Sequence, residues 1–236
     1  MFDNTLRFKV PLENPYGRRF VITDIHGCYK SFKSLLNKIS LSKADHLFLL
    51  GDYINRGPCS QLVLDLILDL LDSGYQIFPL RGNHEQLLLD SKTRQQIENT
   101  PQMPKLHKYK GLLNENGSLK TKYLDFINTL PYYFELNNYF LVHAGFNFDQ
   151  NNPFNDYFSM LWITEFKIKK EIVGTKKIIH GHIPNDLNVI LKCLDNKSQI
   201  ISLDNGCYIK KDRQKGNLLS LELDSLVLSI QNNIEE

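Results

Sequence analysis

The stretch "VITDIHGC" (residues 21–28) runs from an apolar, strand-like segment into Asp24, then His26 two residues on, then Gly27. Asp24 could cap a helix that follows the turn. Alternatively, Asp24 and His26 could share a metal ion, because in extended chain residues i and i+2 point to the same side. One such triplet does not choose between the two, so the choice turns on whether the arrangement recurs. It does: "HLFLL" (46–50) runs into Gly51 and Asp52, and "QIFPL" (76–80) runs into Arg81, Asn83 and His84. Between these runs lie helical patterns, with Phe32, Leu35, Leu36 and Ile39 at one spacing and Leu62, Val63, Leu66, Ile67 and Leu70 at the next. A β-α-β-α-β order of this kind builds an α/β fold and gathers functional residues beyond the carboxyl ends of the strands.

The remainder of the chain extends the pattern. Residues 87–130 are lysine-rich and polar, interrupted by Pro101, Pro104 and Gly111, and are expected to form a helical insertion in a single domain spanning 1–236. Strands return after Pro131: "YFLV" precedes His143, "KKIIH" leads into His180-Gly181-His182, and "QIISLD" precedes Asn205-Gly206. "NLLSLEL" and "SLVLSI", separated by Asp224, read as a closing hairpin.

With 236 residues, 42% of them hydrophobic and 23% charged, the chain can bury a full core. A formal charge of +2 with no long basic run argues against nucleic acid as a partner. The four cysteines form no C-x-x-C pair, which points to a reducing, cytoplasmic setting. The most apolar stretch, "LVLDLILDLL", is broken by Asp65 and Asp69, so neither secretion nor a membrane span is expected.

Each strand-end residue also has an ordinary explanation. Asp52 could sit in a glycine-bounded loop before a proline-started helix. Asn83 and Gln86 could form a capping box, and His143 and His182 could be core histidines bonded to backbone. Taken together, a mixed set of carboxylate, imidazole and amide-oxygen groups suits manganese, iron or zinc. A pair of such ions needs a shared anionic ligand, and Asp52 is the natural bridge. The pair could activate a water for attack on phosphorus and offset phosphoryl charge.

Asp24-Ile25-His26-Gly27, Gly51-Asp52-Tyr53-Ile54-Asn55-Arg56-Gly57, Gly82-Asn83-His84-Glu85, His143-Ala144-Gly145 and Gly181-His182-Ile183-Pro184 resemble, in order, the signatures of the phosphoprotein phosphatase family of metallophosphoesterases, particularly its bacterial and phage members. The resemblance covers about residues 20–207. It implies a two-sheet β sandwich flanked by helices, the calcineurin-like metallophosphoesterase fold, with a dinuclear site where strand ends meet. It further implies that Asp24 and His26 bind one divalent ion, that Asp52 bridges as a catalytic ligand, and that Asn83, His143 and His182 bind the second. Manganese is the first choice, with iron or zinc as alternatives. Arg56 would grip the substrate phosphate, with Asn83 beside it. His84 would be the general acid, and His180 a supporting residue.

The chain departs from the family at Asn55, where an Asp usually pairs with the catalytic His. An amide can accept a hydrogen bond but supplies no charge, so His84 should have a lowered pKa. Thr164, in "LWITEF", stands where relatives often carry a second phosphate-binding Arg, and Lys167 or Lys169 could compensate. Retention of all six metal ligands favours an active hydrolase over a phosphate-binding regulatory protein. Glu85, where dinucleoside tetraphosphate hydrolases tend to have Asp, tilts the expected substrate toward a phosphoserine or phosphothreonine protein or peptide. A phosphorylated small molecule, dinucleoside tetraphosphate, is the alternative, while Pro184 speaks against a G-H-x-H nuclease or cyclic phosphodiesterase.

Overall fold

The computed structural model describes residues 7–9, 16–91, 109 and 111–236. Its strands form two mixed five-stranded sheets. In the first, β2 (Arg19–Ile22), β3 (His46–Leu49) and β4 (Gln76–Pro79) run parallel, and the antiparallel pair β9 (Asn217–Glu222) and β10 (Leu228–Asn232) continues the sheet past β2. In the second, the order is β1 (Arg7–Lys9), β5 (Tyr133–Glu135), β6 (Tyr139–Val142), β7 (Lys177–His180) and β8 (Ile200–Ser202), with β6, β7 and β8 parallel. The β9–β10 pair is the expected closing hairpin, in register Leu228↔Leu221.

The apolar runs are continuous because both faces of these strands are covered, so alternation would leave a polar side chain in a core. Phe20 and Ile22 of β2, with Leu47 and Leu49 of β3, face a cluster shared with α1 (Tyr29–Lys38) and α2 (Ser60–Asp72). Val21, Phe48 and Leu50 point the other way, against Phe134, Leu141, Ile179 and Ile201 of the second sheet. That inter-sheet core makes the molecule a β sandwich. The far face of the second sheet, with Phe140, Val142 and Ile178, packs under the short α5 (Tyr157–Trp162) and α6 (Lys170–Val173). A further helix, α7 (Leu187–Asp195), buries Ile190 at the edge of the inter-sheet core.

Within 87–130, the described residues comprise the end of α3 (Asn83–Asp90), an isolated bridge between Leu113 and Leu119, and α4 (Thr121–Thr129). Residues 92–108 and 110 lie outside the described residues. Tyr109, Leu112, Tyr123 and Ile127 join the core under α1 and α2. This packing shifts the buried face of α2 from the expected stripe. Val63 and Ile67 are buried as the periodicity requires, but Leu62 is 44% exposed while Leu64 is fully buried. The helix is apolar almost all round, so periodicity alone does not orient it. The covering element decides: α4 docks on that flank, where Tyr123 Oη donates to Asp65 Oδ1 at 2.8 Å.

Candidate active site

Six strand ends converge, three from each sheet. Asp24 and His26 follow β2, Asp52 follows β3, and Asn83 and His84 open α3 after β4, while His143 follows β6, His182 follows β7 and Asp204 follows β8. The turns are strained: Asp24, His26, Asp52, Asn55, Arg56 and His182 have φ between +47° and +75°. Left-handed backbone at non-glycine residues costs on the order of 1–3 kcal/mol each and persists where the surroundings enforce it. It also replaces the extended geometry that the i, i+2 argument assumed. Close approach requires glycine at two places. A Cβ on Gly82 would strike the backbone nitrogen and carboxylate of Asp52, and one on Gly181 would strike the Asp24 carboxylate.

Among the described residues, two clusters of ligand-type atoms form, and they share Asp52. His26 Nε2 and His84 Nε2 lie 3.5 and 3.9 Å from Asp52 Oδ2. On the other side, His143 Nε2 is 3.6 Å from Asp52 Oδ1, and His182 completes the second cluster. Backbone carbonyls fix two of the imidazoles: His26 Nδ1 is 2.9 Å from Ile54 O, and His143 Nδ1 is 2.8 Å from Leu50 O. A carbonyl only accepts, so in these rings Nδ1 holds the proton and Nε2 turns a lone pair toward a carboxylate. Asn83 Oδ1 likewise faces only acceptors: His143 Nε2 at 2.9 Å, both Asp52 oxygens at 3.1 Å and His182 Nδ1 at 3.3 Å.

Lone pairs aimed at lone pairs are repulsive unless a cation lies among them, so this donor set fits divalent ions. Protonation works the same way. Burial lowers His26 to about 3 and, aided by His143, His182 to about 4, leaving both neutral as ligands must be. Burial opposes ionisation of Asp52, and what holds it below the ordinary carboxylate range is positive charge beside it, from His143, His84 and His26 when protonated, together with the His84 N–H; with the rings neutral, that charge has to come from cations.

Asp24 belongs to neither cluster. It is buried, and both its oxygens accept from the His182 backbone N–H at 3.1 Å, tying the β2 turn to the β7 turn. Burial and the charges of Asp204 and Asp52 raise its pKa. Asp204, which the sequence reading left unassigned, is 2% exposed, with Oδ2 unpartnered, and is pushed to about 7, chiefly by burial. Its signal was available, since it ends the "QIISLD" run as Asp24 ends the first. Three buried carboxylates within electrostatic reach of one another add to the demand for cations.

The supporting residues differ from expectation in two places. The capping box that could have explained Asn83 without a ligand, with Gln86, is not the one formed; Gly82 is the N-cap and Glu85 the N3 residue. Instead, Glu85 Oε2 accepts from the Gly82 N–H at 3.0 Å and from the Asp52 N–H at 2.8 Å, while Oε1 takes the Tyr53 N–H at 2.9 Å. Glu85 is therefore a fully buried brace that fixes the Asp52 loop. Secondly, Asn55 lies against His84 as predicted, but through Nδ2, 2.8 Å from Nδ1. An amide nitrogen donates, so His84 presents Nε2–H to the site as a neutral ring. Its pKa is lowered, with burial the largest cause.

Arg56 is exposed at the rim, 4.6 Å over the Tyr208 ring, and its Nη1 donates to Tyr208 Oη at 3.0 Å. Tyr208, also unforeseen, meets the His26 ring edge-on at 5.1 Å. His180 stands apart from both clusters, with its ring 5.4 Å from Phe166. It lines a cavity of about 850 Å³ together with Thr164, Lys167 and Lys169, and Lys169 Nζ is held by Asp149 at 3.2 Å. No described helix is long and apolar enough to cross a membrane.

The family model for calcineurin-like phosphoesterases matches residues 17–213. Curated relatives include symmetrical bis(5'-nucleosyl)-tetraphosphatases from Wigglesworthia glossinidia brevipalpis and Nitrosomonas europaea. The first is 48% identical over 71 residues, 30% of this chain and 25% of the relative; the second is 33% identical over 130 residues, 53% and 44%. The chain thus spans less than half the length of the curated relatives it matches. Similar folds include a Saccharomyces cerevisiae protein serine/threonine phosphatase (TM-score 0.63, 15% identical, covering 94% of this chain and 82% of that one). They also include a crystal structure provisionally assigned as a diadenosine tetraphosphatase (TM-score 0.58, 21% identical, 93% and 95%). At these identities the likeness concerns the fold. The family match over most of the chain, the sandwich and the paired clusters around Asp52 agree: this chain belongs to the calcineurin-like phosphoesterase family of metal-dependent hydrolases.

Proposed function

We propose that this protein hydrolyses dinucleoside tetraphosphates at the central anhydride. A water oxygen is added to one phosphorus, and the other departs with the bridging oxygen, giving two nucleoside diphosphates. The observation that carries phosphoester hydrolysis is the sharing of Asp52 between the two ligand clusters. The choice of substrate rests on the curated relatives named as tetraphosphatases. Glu85, the residue that favoured a protein substrate in sequence, is spoken for by four backbone N–H groups. We read residues 1–236 as one metallophosphoesterase domain, with 87–130 as its insertion.

In this reading Asp24, His26 and Asp52 hold one divalent ion, and Asp52, Asn83, His143 and His182 hold the other, manganese being the first candidate. When bound, the pair supplies an acidified water and charge that offsets the phosphoryl oxygens. Arg56, steadied by Tyr208, donates to the non-bridging oxygens from the rim. His84 turns Nε2–H toward the departing oxygen. Asn55 fits this substrate better than a phosphoserine. A neutral His84 is a weak acid, yet a nucleoside diphosphate leaves as a phosphate whose second pKa is about 6, whereas serine leaves as a strongly basic alkoxide.

The test is steady-state turnover by metal-stripped protein, with and without manganese, on diadenosine tetraphosphate beside a phosphoserine peptide. Manganese-dependent release of ADP in preference to phosphate is the expected result. Preference for the peptide would restore the protein-phosphatase reading. No turnover of either by the metal-loaded protein would leave a phosphate-binding role.

A further inference from the structure

The stripe of α3 that enters the metal clusters continues beyond them. Asn83, Gln86 and Asp90 stand at i, i+3 and i+7, one face of the helix, and a rise of 1.5 Å per residue puts Asp90 about 10 Å past Asn83. There Gln86 and Asp90, but not Asn83, border a cavity of about 570 Å³ whose other walls include Tyr132, Asp156, Phe158 and Trp162. Trp162 connects this cavity to the site, its indole meeting the His182 ring edge-on at 6.3 Å.

Two aromatic pairs line the cavity, and they differ. Tyr132 and Tyr157 form a closed stack, with centroids 4.6 Å apart and planes 25° apart. Phe158 and Trp162, one turn apart on α5, are nearly as parallel at 26°, but their centroids are 6.3 Å apart, and Phe158 is 73% exposed. One open ring is ordinary on a protein surface, but this one lines a cavity beside a second, nearly parallel ring, and the pair offers a face to a flat ligand. The charge at the rim selects the ligand. At the rim Asp90 contributes an exposed carboxylate, whereas both Asp156 oxygens already accept from Ser159, and Arg81 stands behind the wall, donating to Gln86 Oε1 and Tyr132 Oη, so the ligand-facing charge is that of Asp90. A flat, uncharged ring bearing N–H donors is accepted.

We propose that this shelf seats one nucleobase of the substrate, stacked on Phe158 and Trp162, with an exocyclic amine directed to the Asp90 carboxylate and the attached phosphates leading back along α3 to Asp52. The proposal rests on the tetraphosphate reading above and adds a specificity: bases with an exocyclic amine, such as adenine, bind in preference to uracil.

The experiment compares the manganese-loaded wild type, Phe158→Ala and Phe158→Tyr on diadenosine tetraphosphate, diuridine tetraphosphate and inorganic tetraphosphate. Base stacking on an aromatic is strong enough to predict a roughly tenfold rise in KM for the diadenosine substrate in Phe158→Ala, well above the change for inorganic tetraphosphate, with Phe158→Tyr restoring it. Trp162 is the single tryptophan, so its fluorescence provides a readout independent of turnover: ADP should quench it, and pyrophosphate should not. Equal KM changes with and without bases, or equal quenching by ADP and pyrophosphate, would overturn the shelf while leaving the tetraphosphate reading intact. So would a Phe158→Ala defect that falls instead on an arginine-flanked phosphoserine peptide. A wild type that releases no ADP from diadenosine tetraphosphate would overturn the parent reading, and the shelf with it, without recourse to any variant.

Discussion

The two ends of the β2–β3 pair bury carboxylates in opposite ways. At the amino end, Asp45 is 3% exposed and fully engaged: Arg18 donates to it through N, Nε and Nη2, and Ser42 through N and Oγ, all at 2.8–3.1 Å. At the carboxyl end, Asp52 is equally buried, yet it is surrounded by imidazole nitrogens and an amide oxygen, with the His84 N–H as a donor at 3.0 Å. Burial therefore does not separate a structural carboxylate from a functional one. The sign of its neighbours does: donors around Asp45 complete it, whereas acceptors around Asp52 require a cation.

The comparison breaks first at Asp52. Asp52→Asn should abolish metal binding at both clusters and reduce turnover to background, with metal content measured on the folded variant by elemental analysis. If the variant kept two ions and full activity, the shared-carboxylate arrangement would be wrong. The next largest effect is at His84, on the same loop system. His84→Asn should retain metal while kcat falls about 10²–10⁴-fold, the usual range for loss of a general acid. That loss should be smaller on diadenosine tetraphosphate than on a phosphoserine peptide, because the anhydride needs less help in leaving.

The Asp52 side of this contrast was readable from sequence, for a physical reason, while Asp45 carried no signal there. Strands covered on both faces must be continuously apolar, so the first polar residue after each run marks a strand end, and five of the six ends carried recognisable motifs. What escaped depended on tertiary placement. The side chain of Glu85 points back into the loop rather than out to substrate, Leu64 is buried in the core that Tyr109, Leu112, Tyr123 and Ile127 join, and Asp24 bonds to a turn 158 residues away. Asp204 was visible as a strand-end acid but had no motif around it. The Trp162–His182 contact joins two segments that sequence spacing does not relate.

Asn55 sharpens the comparison without removing anything. Asn55→Asp places a carboxylate beside His84 Nδ1, where the amide now donates, and a neighbouring negative charge raises an imidazole pKa by about one unit or more. If His84 acts as the acid, the alkaline limb of kcat/KM against pH should move up by that amount. Turnover of a phosphoserine peptide should gain more than turnover of diadenosine tetraphosphate. A pH profile unchanged by the substitution would remove His84 from proton transfer.

The smallest effect lies at the satisfied end. Asp45→Asn keeps the shape but gives up the charge-assisted bonds to Arg18 and Ser42, a cost of about 1–2 kcal/mol once the partly exposed position of Arg18 is allowed for. Burial opposes ionisation of Asp45, but the Arg18 and Ser42 donors prevail and hold its pKa below the unfolded value. Its contribution is accordingly complete above the unfolded pKa of about 4 and is lost as pH falls below it toward the folded pKa. Thermal melts of wild type and Asp45→Asn should differ at pH 7 and converge in acid, while metal content and turnover at neutral pH stay equal. A gap undiminished between pH 7 and pH 2 would mean that the bonds at Asp45 stabilise through shape rather than charge, and the contrast with Asp52 would then rest on the acceptors at the metal end alone.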